Sequence, residues 1–141
     1  MTLNERQDEI IEEFSVFDDW MDKYNYLIEL SKDLPEIDSK YKTNEYLIEG
    51  CQSKVWLFAE MDGDKIKYYA DSDAIITKGI AALLVRVLSG QKPADILTNE
   101  LYFLDKIGLQ QNLSPTRSNG LLAMVKQMKL YAMAYKAKME K

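Results

Sequence analysis

The chain has 141 residues, 47% apolar and 29% charged, enough for one sizeable core and therefore one domain over residues 1–141. Its net charge of -5 argues against a phosphate-neutralising basic patch, so nucleic acid is not an expected partner. With no histidine and one cysteine, the sequence excludes Ser-His and Cys-His dyads, His-containing zinc sites, an internal disulfide and a cluster held by several cysteines.

Met1 to Arg6 has neither the basic start nor the apolar stretch of a secretory signal. The longest apolar run, Gly79 to Val85, falls far short of the ~20 residues that cross a bilayer. A cytoplasmic protein without membrane association is expected, in a reducing compartment that keeps the cysteine a thiol.

Ile10, Ile11, Phe14 and Phe17, then Trp20, Tyr24, Leu27 and Ile28 after Asp18-Asp19, predict two short amphipathic helices, the second capped by an Asp. Asp33 through Pro35 to Asn44 has no apolar period and reads as a surface loop that crosses the fold. Tyr46-Leu47-Ile48 and Val55 to Met61 are aromatic and β-branched. With the Asp62-Gly63 turn and Lys65 to Ala70, they predict an antiparallel sheet of about three strands.

Asp71-Ser72-Asp73 supplies capping oxygens for a nearly buried helix on Ile75, Ile76, Ile80, Leu83, Leu84 and Val87, which Gly90 stops. Pro93 starts a short helix to Leu97, and Leu101 to Ile107 forms another before Gly108. Leu113-Ser114-Pro115-Thr116 caps a last helix whose stripe, Leu121, Val125, Met128, Ala132, Tyr135 and Met139, reads as core against the sheet rather than a coiled-coil seam. Lys126, Lys129, Lys136 and Lys138 occupy its other side.

Cys51 follows Gly50 and precedes Gln52 and Ser53, between two apolar segments. An inert cysteine usually sits within an apolar period, whereas this setting describes a turn and points to a reactive thiol. Gly50 imposes few backbone limits, and the Gln52 and Ser53 side chains offer the loop alternative hydrogen bonds.

Three blocks resemble the SufE family of cysteine desulfuration proteins. They are Gly50-Cys51-Gln52-Ser53 with Val55-Trp56-Leu57; Ala70-Asp71-Ser72-Asp73-Ala74 with Lys78-Gly79; and Ile107-Gly108-Leu109 with Leu113 through Leu121. Their order and spacing are similar to the family's over nearly the whole length. The resemblance implies an α+β fold of the SufE/IscU-like kind, a small antiparallel sheet with helices on one face and the cysteine on a loop between strands. It also implies a sulfur acceptor and activator for a SufS- or CsdA-like cysteine desulfurase. Cys51 would carry a persulfide to an Fe-S scaffold.

The chain itself is expected to need no cofactor and no metal; pyridoxal phosphate would belong to the desulfurase, and iron to the scaffold. A one-cysteine chain is itself no cluster scaffold. It is an accessory rather than a stand-alone enzyme. Transfer needs a thiolate that attacks a persulfide and expels another thiolate, so the lack of histidine is no handicap. The expected loop swings, with Cys51 shielded at rest against Trp56 or Leu57 and exposed on docking.

Arg117 is the expected thiolate or persulfide stabiliser, or else a surface arginine paired with a carboxylate. Asp73 caps the buried helix, with or without pairing to Arg117. Lys54 is a solvated strand-edge charge or an aid to the thiolate. A regulator that acts by contact alone is the alternative function, and monomer or homodimer is left open.

Overall fold

The computed structural model describes residues 1–48 and 53–140. Helix α1, Leu3–Phe14, opens on a reciprocal cap: Thr2 Oγ1 accepts from the Glu5 amide at 3.1 Å, and Glu5 Oε1 accepts from the Thr2 amide at 2.9 Å. Helix α2, Trp20–Ser31, starts with Asp19 Oδ1 accepting from the Asp22 amide at 2.9 Å, as the sequence predicts.

Strands β1, Val55–Asp62, and β2, Lys65–Ser72, form an antiparallel hairpin with Val55 opposite Ser72 and Asp62 opposite Lys65. Gly63, at φ 66°, takes the left-handed conformation that this tight turn requires. Helix α3 is Ile75–Leu88, followed by α4, Pro93–Thr98, α5, Phe103–Lys106, α6, Leu109–Asn112, and α7, Pro115–Met139. Helix α6 has no counterpart among the elements the sequence predicts. Gly108 takes φ 76° before it, turning the chain between α5 and α6.

The inner sheet face is apolar because alternate residues point one way: Val55, Leu57, Ala59, Ile66, Tyr68 and Ala70 are buried. Helices α3 and α7 pack on that side. Three tyrosines bond across this layer. Tyr68 Oη donates to the Met128 carbonyl at 2.6 Å, and Tyr131 and Tyr135 donate to the carbonyls of Leu57 and Ala59 at 3.3 and 2.8 Å. Four helical residues rise ~6 Å and two strand residues ~6.6 Å, so the last two bonds set α7 alongside β1 in the same direction. The amino-terminal half of α7 therefore lies toward the start of β1.

The expected third strand is reduced to a single bridge, Leu47 with Trp56, so the sheet has two strands among the described residues. Tyr46 belongs to a 3-10 turn, Asn44–Tyr46, whose geometry removes the residues before Leu47 from a ladder. The segment expected to be a polar surface loop is instead a strap over the outer sheet face. Ile37 is buried beneath it and Tyr41 stacks on Phe58 with centroids 4.0 Å apart, while Leu34 is buried beside Leu30 of α2 and Leu83 of α3.

A second expectation fails at α3. Its N-cap is Ala74, with no side-chain cap bond, so Asp73 does not cap the helix. Gly79 shows why the helix needs glycine there: a Cβ would lie 2.4 Å from the Leu27 carbonyl oxygen of α2. Among the described residues, no helix is long and apolar enough to cross a membrane.

Candidate functional site

Cys51, Gly50 and Gln52 lie outside the described residues, but the chain on both sides of them is fixed. Before them, the Ile48 amide donates to the Val55 carbonyl at 2.8 Å, and Leu47 bridges Trp56. After them, three hydrogen bonds hold Lys54. Its amide donates to Asp73 Oδ1 at 3.0 Å, and its carbonyl accepts from the Asp73 amide at 3.2 Å and from Ser72 Oγ at 2.9 Å. Ser72 Oγ also accepts from the Ala74 amide at 3.2 Å. The end of β2 and the approach to α3 thus clamp the chain just past the cysteine.

Beside this clamp lies a buried carboxylate. Asp71 is 6% exposed and faces Lys42 Nζ at 2.7 Å and Lys78 Nζ at 3.4 Å, while its Oδ1 accepts from the Ser72 amide at 2.8 Å. Burial alone would raise its pKa. The hydrogen bond from Lys42, the Ser72 amide and the Lys78 charge outweigh burial and hold it below the usual carboxylate value. The hydrogen bond to Asp71, aided by its charge, raises the Lys42 pKa in turn. This three-residue cluster joins strap, sheet and α3 near the start of β1, where Asp71 pairs with Trp56.

A groove of about 390 Å³ runs between Asn44–Ile48 and the middle of α7. Leu57 floors it, and Ala123, Lys126, Gln127, Leu130 and Tyr131 form the α7 wall. Of the two expected shields, Leu57 is buried on the inner face and lines this groove. Trp56 points to the outer face opposite Asp71, 5.9 Å from Lys42 Nζ, because neighbouring strand residues alternate.

Arg117 sits in the first turn of α7, its amide donating to Ser114 Oγ at 3.3 Å. Its guanidinium is exposed and lies 5.5 Å from the Tyr24 ring centroid. Among the described residues Arg117 and Asp73 form no ion pair with each other, and Asp73 serves Lys54 instead. Ser53 is half-buried, and Lys54 is exposed.

Sequence reasoning gave Lys42 and Lys78 no role at the site and read Asp71 only as a capping oxygen. The available signal was a charged residue at the end of an alternating strand. Its partner Lys42 is too distant along the chain to produce a local pattern.

The sequence model of the SufE family, described as an Fe-S metabolism associated domain, matches residues 8–132. An uncharacterised SufE-like protein of Rhizobium etli is 41% identical over 127 residues, covering 86% of each chain. A SufE-like protein of Rhizobium meliloti is 38% identical over 127 residues, covering 86% of this chain and 91% of its own. SufE-like protein 1, chloroplastic/mitochondrial, of Arabidopsis thaliana is 44% identical over 133 residues, which are 94% of this chain but 36% of that longer protein. The solution structure of a hypothetical protein from Thermus thermophilus shares the fold, with a TM-score of 0.76 at 21% identity over 92% of this chain and 94% of that one.

Proposed function

The chain belongs to the SufE family, and from that premise we propose that it accepts a sulfur atom on Cys51 from the persulfide of a cysteine desulfurase, speeds that enzyme, and passes the sulfur to an Fe-S scaffold. The observation that carries this reading is the position of the sole cysteine, inside the family match and between two anchored residues, Ile48 and Lys54.

In the transfer, the Cys51 thiolate attacks the outer sulfur of the donor persulfide. A new S–S bond forms at Cys51 as the donor's S–S bond breaks, and the donor leaves as a thiolate. No external oxidant or proton relay is needed. The recipient repeats the exchange and returns Cys51 as a thiolate.

Gly50, Gln52 and Ser53 provide the movable segment in this reading, with Ile48 and Lys54 as its fixed ends. Arg117 is the cation for the thiolate or persulfide anion. Its described partner is the neutral Tyr24 ring, which leaves the guanidinium charge available to an anion. Asp73 acts through its bonds to Lys54 by setting where the segment ends.

The test is incubation with a cysteine desulfurase and L-cysteine, followed by intact mass spectrometry. One added sulfur on Cys51, removed by a reductant and absent from Cys51→Ser, is the expected result. If Cys51→Ser still stimulates the desulfurase as wild type does, the chain regulates by contact and sulfur carriage is refuted.

A further inference from the structure

Helix α7 buries Leu121, Met124, Met128 and Ala132, yet its other side is not the polar surface such a helix normally shows. Leu122, Leu130 and Met133 are 51%, 44% and 54% exposed. At ~100° per residue, Leu122, Lys126, Leu130, Met133 and Ala137 fall within an arc of about 80° on the outward side.

Charge is segregated on the same helix. Pro115–Met139 contains no acidic residue, but it carries Arg117, Lys126, Lys129, Lys136 and Lys138 in a chain whose net charge is -5. Helix α1 is the reverse, with Glu5, Asp8, Glu9, Glu12 and Glu13 against Arg6. The outward stripe meets the 390 Å³ groove at Lys126 and Leu130, and the groove's opposite wall runs from Asn44 to Ile48.

Two occupants fit poorly. A second copy related by a two-fold axis along α7 would set lysines against lysines, and α7 on the α1 of another copy is a head-to-tail contact that does not close on itself. An anionic bilayer would meet a stripe without Trp or Phe on a chain that is negative overall.

We propose that the outward face of α7, continuous with the groove, docks an acidic amphipathic segment of the cysteine desulfurase. Its apolar ridge would lie along Leu122, Leu130 and Met133, and its carboxylates would face Lys126 and Lys129, whereas Lys136 already pairs with Glu140 at 2.9 Å. The identity of this partner rests on the sulfur-acceptor reading; the face itself does not.

Titration calorimetry of the full chain with a cysteine desulfurase tests the face by binding alone. The charge variant Lys126→Glu/Lys129→Glu and the apolar variant Leu122→Gln/Met133→Gln are each expected to weaken Kd about tenfold or more with wild-type melting curves. Added NaCl weakens wild-type binding and changes the charge variant's less. Both variants binding within twofold of wild type would overturn the docking face.

So would wild type that fails to bind, that floats with phosphatidylglycerol vesicles, or that self-associates through residues the variants disrupt. Intact mass of Cys51 reports the sulfur reading separately. Weakened binding by the variants with no sulfur on wild-type Cys51 leaves the docking face standing and removes the carrier role.

Discussion

Lys54 and Asp73 exchange two hydrogen bonds, the Lys54 amide to Asp73 Oδ1 at 3.0 Å and the Asp73 amide to the Lys54 carbonyl at 3.2 Å. Three residues past Cys51 in the sequence, this pairing anchors the chain. A carboxylate expected to cap a helix has become an anchor for the neighbouring chain.

Asp73→Ala removes the side-chain half of that pairing and leaves the backbone half. Amide exchange at Lys54 should accelerate, with a loss of about 0.5–1 kcal/mol in global stability, since an exposed hydrogen bond contributes little net. Unchanged exchange at Lys54 would show that the bond does not restrain the segment.

Gly79→Ala places a methyl group 2.4 Å from the Leu27 backbone oxygen, which no side-chain rotation relieves. Helices α2 and α3 must separate, at a cost of about 2 kcal/mol or more by denaturant unfolding. A loss below ~0.5 kcal/mol would mean that the two helices do not approach so closely.

Asp71 links stability to acid pH. Its pKa in the fold is depressed, so its contribution is fully present above the unfolded value of ~3.9 and is lost as pH falls through the lower folded value. Denaturant midpoints from neutral pH downward should fall less steeply below pH ~4 in Asp71→Asn than in wild type. Glu13, depressed chiefly by its hydrogen bond with Arg86, keeps a residual slope in both proteins. Parallel curves for the two proteins would contradict the assigned role of Asp71.

Tyr68 acts at the opposite end of the scale. Burial, with the nearby Tyr131 and Tyr135, raises its pKa, so its contribution is present below the unfolded value of ~10 and is lost as pH rises toward the folded one. Tyr68→Phe should cost about 1 kcal/mol at neutral pH, where the bond to Met128 is lost, and flatten the decline above pH ~10. Tyr26 and Tyr102, each pushed up to about 12, maintain some alkaline dependence. If the alkaline limb were identical in the variant, Tyr68 would not be its source.

Arg117→Gln should move the pH profile of Cys51 alkylation toward higher pH, because loss of the cation disfavours the thiolate. Stability should change by under ~0.5 kcal/mol, since the side chain is exposed. An unmoved profile would strike Arg117 from the site.

The elements read correctly were those specified by neighbours in the chain. Asp19 and Ser114 cap α2 and α7 because each side-chain oxygen lies three residues before the amide it accepts from. The Asp62-Gly63 turn reveals its hairpin in the same way. Tyr46-Leu47-Ile48 has strand composition, but composition does not say how many residues find a partner, and only Leu47 forms a bridge.

The sequence by itself determined the caps of α2 and α7, the hairpin, the family and the solitary thiol, since each resides in residues close together or in an ordered set of motifs. Tertiary structure alone decided that Asp71 binds Lys42 and Lys78, that Asp73 serves Lys54, and that the outer sheet face lies under a strap. Those outcomes depend on which distant groups meet out of water, where a buried carboxylate must find cations and a strand-end amide must find an acceptor. The same packing leaves Leu122, Leu130 and Met133 outside, although their chemistry alone would place them within.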